Sequence, residues 1–184
     1  MKVLETERLL LRPFTLEDID DVFQEIYSDN EVLRYYSSKI DMTREATLQH
    51  ITEHLASWRD EELGRHAVIL KENETFVGQV HLNGYVNLSN RWSAEPSPAY
   101  NTVEVELAFA FGRRFWGRGY AFEACTALIH YAFNDLRLPR LLGGFFGPNI
   151  RSRKLHQRLG YSIEPNLHHN EKDIFVTILN NFLV

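Results

Sequence analysis

Three groups of residues in this 184-residue chain have the types and spacing for chemistry. The first is Arg113-Arg114-Phe115-Trp116-Gly117-Arg118-Gly119-Tyr120-Ala121, between a strand-like run (Val103 to Phe111) and a helix-like run (Ala121 to Phe133). Glycines let backbone N–H groups turn inward, a new helix presents unpaired donors, and its dipole favours an anion. With its arginines, the junction reads as a pocket for phosphates; a tight turn alone is the plainer reading of the same glycines. The second group lies on the strand before it. Alternation puts Val103, Val105, Leu107, Phe109 and Phe111 on one bulky apolar face. The other face carries Glu104 and Glu106, then only Ala108, Ala110 and Gly112. Small groups leave room for an extended ligand, and a carboxylate can take a proton; a half-exposed strand with solvated glutamates also fits. The third group is Asn149 with Ser152 three residues later, which places a hydroxyl in the first turn of a helix.

The elements that must position these residues read as one mixed α/β domain spanning residues 1–184. Arg8 to Arg12 looks like a first strand stopped by Pro13. Thr15 with Asp18 resembles a capping box, ahead of a helical stripe of Ile19, Val22, Phe23 and Ile26. Thr43 is expected to cap a second helix with Ile51, Leu55 and Trp58 facing the core. His66 to Leu70, a turn through Asn73 and Glu74, and Phe76 to Val86 form a hairpin. Residues 87–100 carry prolines, serines and asparagines with little periodicity, so a long loop is expected, and long loops that persist are often functional. Arg91 and Trp92 near Glu95 would line a pocket there or fold the loop on itself.

Beyond the glycine junction, Leu141 to Phe146 is a short strand, and a helix from Asn149 turns Leu155 and Leu159 inward and stops at Gly160. Tyr161 to Glu164 and Asp173 to Leu179 close the sheet as a hairpin around His168 to Asn170. The central strand-helix-strand unit demands a parallel pair and the hairpins demand antiparallel ones, so the sheet is mixed.

Composition excludes several classes. Hydrophobic content of 44% and charged content of 24% are ordinary for a soluble globular protein. A net charge of -5 argues against a nucleic-acid binder held mainly by phosphate contacts. No apolar run approaches the roughly 20 residues that span a bilayer, and the N-terminus lacks a signal-peptide core, so no membrane partner and a cytoplasmic location are expected. Cys125 cannot form an internal disulfide and sits among Ala121, Ala124, Leu128 and Ile129 at helical spacing, as a small core residue does. His50 and His54 have a metal-ligand spacing but no third ligand, so an exposed helical face is the reading and no metal is expected. His168 and His169 read as solvated residues of a polar turn.

Several motifs together resemble the GNAT N-acetyltransferase superfamily, and within it the RimJ/RimL-like branch that acetylates ribosomal-protein N-termini. Thr6-Glu7-Arg8-Leu9-Leu10-Leu11-Arg12-Pro13 is similar to that branch's opening. Glu106-Leu107-Ala108-Phe109 matches its Glu-aliphatic-small-aromatic strand, and Arg114-x-x-Gly117-x-Gly119-Tyr120-Ala121 its pyrophosphate loop. Pro148-Asn149-x-x-Ser152 and Leu159-Gly160-Tyr161 match the family's later pair, and Asp173 its last strand. The chain departs from the branch where Gly112-Arg113-Arg114 replaces an Ala-Pro-Glu, which makes the loop more basic, and where Ala108 replaces a glycine. Gly143-Gly144 inside a strand implies close approach, with cofactor or acceptor as one candidate reason.

The resemblance implies a mixed seven-stranded sheet with splayed central parallel strands, flanked by about four helices. It implies acetyl-CoA as cosubstrate and an amine acceptor, either a peptide N-terminus or a small molecule, in a monomer or homodimer. Pantetheine would lie along the backbone of Phe109, Ala110 and Phe111 like an added strand. The amides from Arg114 through Gly117 and Gly119 to Tyr120 would hold the pyrophosphate, with Arg113, Arg114 and Arg118 adding charge-assisted bonds or standing solvated. Phe115 and Trp116 would pack beneath the loop. Glu106 would be the base through a water, with Glu104 in reserve and a structural role for Glu106 as the other reading. Ser152 would donate a proton to the departing thiolate. Asn149 would bond pantetheine amides or merely cap its helix, and Tyr161 reads as core rather than acid. The competing class is a non-catalytic acyl-CoA binder that kept the loop and lost the chemistry.

Overall fold

A computed structural model describes residues 1–36, 42–57, 62–87, 102–165 and 173–182. Residues 88–100, with Arg91, Trp92 and Glu95, lie outside the described residues, as do Trp58, His168, His169 and the side chain of His54. The described strands form one mixed sheet of eight, in the order β1-β2-β3-β4-β5-β6-β8-β7. The expected α/β class holds, with one strand more than expected: the two-residue β1 (Leu4–Glu5), too short to leave a pattern, pairs with β2 (Leu9–Pro13). Five α-helices are described against about four expected, because α2 (Asn30–Tyr36) follows the first helical segment as a separate piece.

The chain divides into two compact units, Met1–His81 with Phe109–Leu128, and Leu82–Ala108 with Ile129–Val184. In the first, β2 pairs antiparallel with β3 (Gly64–Leu70), and β4 (Thr75–Asn87) follows a turn in which Glu74 adopts φ 57. The expected capping box forms: the Thr15 N–H donates to Asp18 at 2.8 Å, and Arg12 holds the same carboxylate at 2.9 and 2.6 Å. The stripe it starts, α1 (Ile19–Val22) and the wider turn after it, buries Ile19, Val22 and Ile26 against Ala67 and Ile69 of β3 and Ile51 of α3 (Arg44–Ser57). Burying each such aliphatic side chain stabilises by about 1.5–3 kcal/mol, which is why this stripe and not helix propensity sets the fold here. Thr43 caps α3 as expected, accepting from the Ala46 N–H at 3.1 Å. His50 is half-buried with its ring edge on Tyr27, 5.8 Å between centroids, rather than on an exposed face, because α3 turns that side toward the core.

In the second unit, β5 (Thr102–Phe111) runs parallel to β6 (Arg140–Phe146), with Glu106 opposite Leu142. β8 (Ile174–Asn180) lies antiparallel between β6 and β7 (Ser162–Pro165), as the expected closing hairpin requires. α5 (Ile150–Arg158) begins at Asn149 in this unit, whereas α4 (Tyr120–His130) begins at the glycine junction in the first. Cys125 is fully buried, and burial pushes its thiol far up, so it is core. No helix among the described residues is long and apolar enough to cross a membrane.

Candidate active site

The glycine junction is built from backbone. β5 ends at Phe111, a single tight turn covers Arg113–Phe115, and Gly117 and Gly119 take φ 76 and 83 before α4 starts. Those are left-handed conformations that cost a non-glycine residue about 1–2 kcal/mol, so the spacing of the two glycines is a backbone requirement. The Cβ side of Gly117 opens onto empty space within 4 Å, as a cradle for a ligand needs. Beneath the loop, the Trp116 indole donates to the Phe111 carbonyl at 2.7 Å and packs on the core, while Phe115 lies edge-on to the buried Tyr120 ring.

The three arginines differ. Arg113 pairs with Asp29 at 2.9 Å, and Arg114 pairs with Glu25 through Nε at 3.1 Å and again through Nη2. Arg118 is exposed, and among the described residues its guanidinium enters no ion pair. Arg8 is a residue of this site that sequence reading did not single out. Its backbone N–H and its Nε donate to Glu123 in the first turn of α4 at 2.9 and 2.7 Å, and its Nη1 donates to the Arg118 carbonyl at 3.1 Å. Burial works against the Glu123 charge, but the donors from Thr6 and Arg8 outweigh it and hold the carboxyl below the usual range. The motif containing Arg8 was visible in sequence; its partner 115 residues away was not.

The two carboxylates of β5 share a face yet have opposite surroundings. Glu104 is buried and gripped by Arg140 through both oxygens, one bond at 2.9 Å from Nε. Glu106 is half-buried, and the Asn83 side-chain amide bonds to it. Burial pushes the Glu106 carboxyl above the usual carboxylate range, and the Asn83 bond opposes this only in part. A carboxylate raised in this way takes a proton more readily at neutral pH than a solvated one does. Asn83 was missed; the only sequence signal was a polar residue within a strand.

Asn149 caps α5: its Oδ1 accepts the Ser152 N–H at 3.1 Å. Ser152 is buried, and its Oγ lies 3.3 Å from Nδ1 of the buried His156. Tyr161 is also buried, 5.1 Å from the His156 ring and edge-on to it, which agrees with a core role. The close approach implied by Gly143-Gly144, for which cofactor or acceptor was one candidate reason, is made at Gly143 by the chain itself. A Cβ there would meet Thr177 Oγ1 at 2.8 Å and His156 Nε2 at 2.9 Å, so the chain's own side chains occupy that space. Among the described residues no cluster of His, Cys, Asp or Glu could hold a metal ion.

A family model described as an acetyltransferase (GNAT) domain matches residues 8–162, and the chain belongs to that family. It is 30% identical over 174 residues to the uncharacterized N-acetyltransferase p20 of Bacillus licheniformis, covering 94% of this chain and 89% of that protein. Among solved structures, a GNAT-family acetyltransferase from Bacillus anthracis superposes with a TM-score of 0.76 at 22% identity, covering 98% of this chain and 99% of that one. A candidate ribosomal-protein-serine acetyltransferase from Vibrio cholerae superposes at 0.73 with 25% identity, covering 97% of each chain. The protein is thus an acetyltransferase enzyme with a GNAT fold, which disfavours the non-catalytic binder.

Proposed function

We propose that this enzyme transfers the acetyl group of acetyl-CoA directly to a primary amine, a peptide N-terminus or a small molecule, with Glu106 as the base. The observation that carries this is the contrast on β5: Glu104 is committed to Arg140, while Glu106 is half-buried, raised above the usual carboxylate range and held by a single amide. The two positive-φ glycines, with the Cβ side of Gly117 open, fit a pyrophosphate, held by the amides of Arg114 to Tyr120 and by Arg118, with Arg113 and Arg114 exchanging their carboxylate partners for it. By likeness to the family, the backbone of Phe109, Ala110 and Phe111 holds pantetheine, and Asn149 adds a polar contact while capping α5.

Bound acetyl-CoA supplies an activated thioester. An ammonium gives its proton to Glu106 through a water, and the freed nitrogen forms the amide bond as the C–S bond breaks. The nitrogen sheds its second proton to water as the amide forms; the electron pair leaves on sulfur, which takes the Ser152 hydroxyl proton, and solvent re-protonates the serine and takes the proton from Glu106. Holding amine and thioester together contributes more than either proton transfer, since alignment alone can supply about 7 kcal/mol or more.

We read residues 1–184 as one N-acetyltransferase domain, cytoplasmic, monomeric or homodimeric, and acting without metal, membrane or nucleic acid. The net charge of -5 supports the last point. The Vibrio cholerae relative supports a RimJ/RimL-like branch and hence a protein N-terminus among the acceptors. The test is CoA release from acetyl-CoA with polyamines, aminoglycosides, amino acids and short peptides. Acceptor-dependent release that collapses in Glu106→Gln while acetyl-CoA still binds is expected; release that persists in that variant overturns the assignment of the base.

A further inference from the structure

His156 belongs to no motif quoted above, yet its ring lies against the Ser152 hydroxyl from one turn further along the same helix. Its Nδ1 lies 2.9 Å from the Ser152 carbonyl oxygen and 3.3 Å from Ser152 Oγ. A carbonyl oxygen only accepts, so the shorter contact requires a proton on Nδ1. That is the tautomer less favoured by free imidazole in water, and the surroundings enforce it. The ring is buried, lies 5.5 Å from Phe145 and 5.1 Å from Tyr161 between centroids, and has Nε2 within 2.9 Å of where a Cβ on Gly143 would stand. Burial also holds the ring below the usual imidazole range, so it is neutral at neutral pH.

One N–H then reaches two oxygens. With Nδ1–H occupying a lone pair of Ser152 Oγ, the hydroxyl proton must point away from the histidine. The opposite polarity, in which Nδ1 takes the serine proton and makes Oγ a nucleophile, is closed because Nδ1 already carries a proton.

We propose that His156 is a positioning residue: fixed with its proton on Nδ1, it turns the Ser152 hydroxyl outward as a hydrogen-bond donor to the departing CoA sulfur. This rests on the reading of Ser152 as that donor. It forms and breaks no covalent bond, and it makes Ser152 a donor to sulfur rather than an acyl carrier. Gly143 takes part by leaving the space that the ring fills.

The test uses the full-length protein and CoA itself, and needs no acceptor. Long-range ¹H–¹⁵N spectra of the ¹⁵N-labelled protein are expected to show His156 protonated on Nδ1; a proton on Nε2 overturns the proposal. The thiolate absorbance of bound CoA, followed against pH, reads the donor. Ser152→Ala is expected to lower the thiolate fraction at a fixed pH by about tenfold, the worth of one hydrogen bond to a charged acceptor. His156→Leu should cause the same loss, and the double variant no more. His156→Asn, whose amide Nδ2 stands where Nδ1 stood, should restore most of it. Loss in Ser152→Ala with none in His156→Leu or with no rescue by His156→Asn overturns the role of His156 and leaves the donor intact. No loss in Ser152→Ala overturns the donor, and this inference with it. Where His156→Leu does not fold, the wild-type tautomer and His156→Asn still decide.

Discussion

The glycine junction and the face carrying Glu104 and Glu106 were built by opposite means. The junction is made of main chain: two left-handed glycines, an open Cβ side and the start of α4. Its meaning is local, because a positive φ asks for glycine whatever surrounds it. The carboxylate face is made of side chains whose roles come from partners far along the chain. Glu104 and Glu106 are two residues apart on one face, yet Arg140 locks the first and Asn83 touches the second. Function read from a backbone motif therefore transfers across sequences more safely than function read from a side chain on a strand.

The sharpest way to break the comparison is to neutralise each carboxylate in turn. Glu106→Gln should lower kcat by about 100- to 1,000-fold with acetyl-CoA affinity within about threefold of wild type, as general-base removal does. Steady-state thiol release and calorimetric titration check this. Glu104→Gln should leave most of kcat but weaken the fold by about 1–3 kcal/mol, less than a fully buried pair because Arg140 is 41% exposed. Thermal melting reads that loss as a fall of roughly 3–10 °C. If the two variants exchange phenotypes, the assignment of roles on β5 is wrong.

The backbone half is tested by smaller effects. Gly119→Ala forces a Cβ into a left-handed position beside Arg8 and should raise the acetyl-CoA KM by about tenfold, equivalent to ~1–2 kcal/mol, with kcat changed little. Arg118→Ala should weaken acetyl-CoA binding by about threefold and flatten its salt dependence, as loss of one exposed phosphate contact does; an unchanged salt dependence would remove Arg118 from the site.

A last prediction sharpens the contrast through pH. Because burial raises the folded-state pKa of Glu106, the folded protein binds the extra proton, and its stability falls as pH rises from the unfolded pKa to the folded one. Glu106→Gln should therefore melt higher than wild type at neutral pH. The gap should close in acid, below the ordinary carboxylate range, and an equal melting point at neutral pH would show the carboxyl to be solvated. The acidic limb of kcat/KM should likewise lie above the usual carboxylate range.

Much of the fold was legible because its signals are short in range. The Thr15–Asp18 cap, the Ile19–Val22–Ile26 stripe, the Asn73–Glu74 turn and the Asn149 cap each depend on residues within a few positions, and each formed. β1 and α2 were not legible, being too short to show a period. Gly143 was read as a close approach without its visitors being legible, since only the packed chain could bring His156 and Thr177 to it.

The sequence by itself determined the family, the order of elements, the glycine junction and the candidates Glu104, Glu106, Asn149 and Ser152, because periodicity, caps and glycine turns are properties of neighbouring residues. Tertiary structure alone decided which glutamate is paired with Arg140 and which meets only the Asn83 amide, which arginines are paired, that Arg8 ties the start of α4 to the residues before β2, and that His156 lies against the Ser152 hydroxyl. Those outcomes depend on desolvation and on hydrogen bonds between residues from four to 115 positions apart, and they exist only once the chain has closed around them.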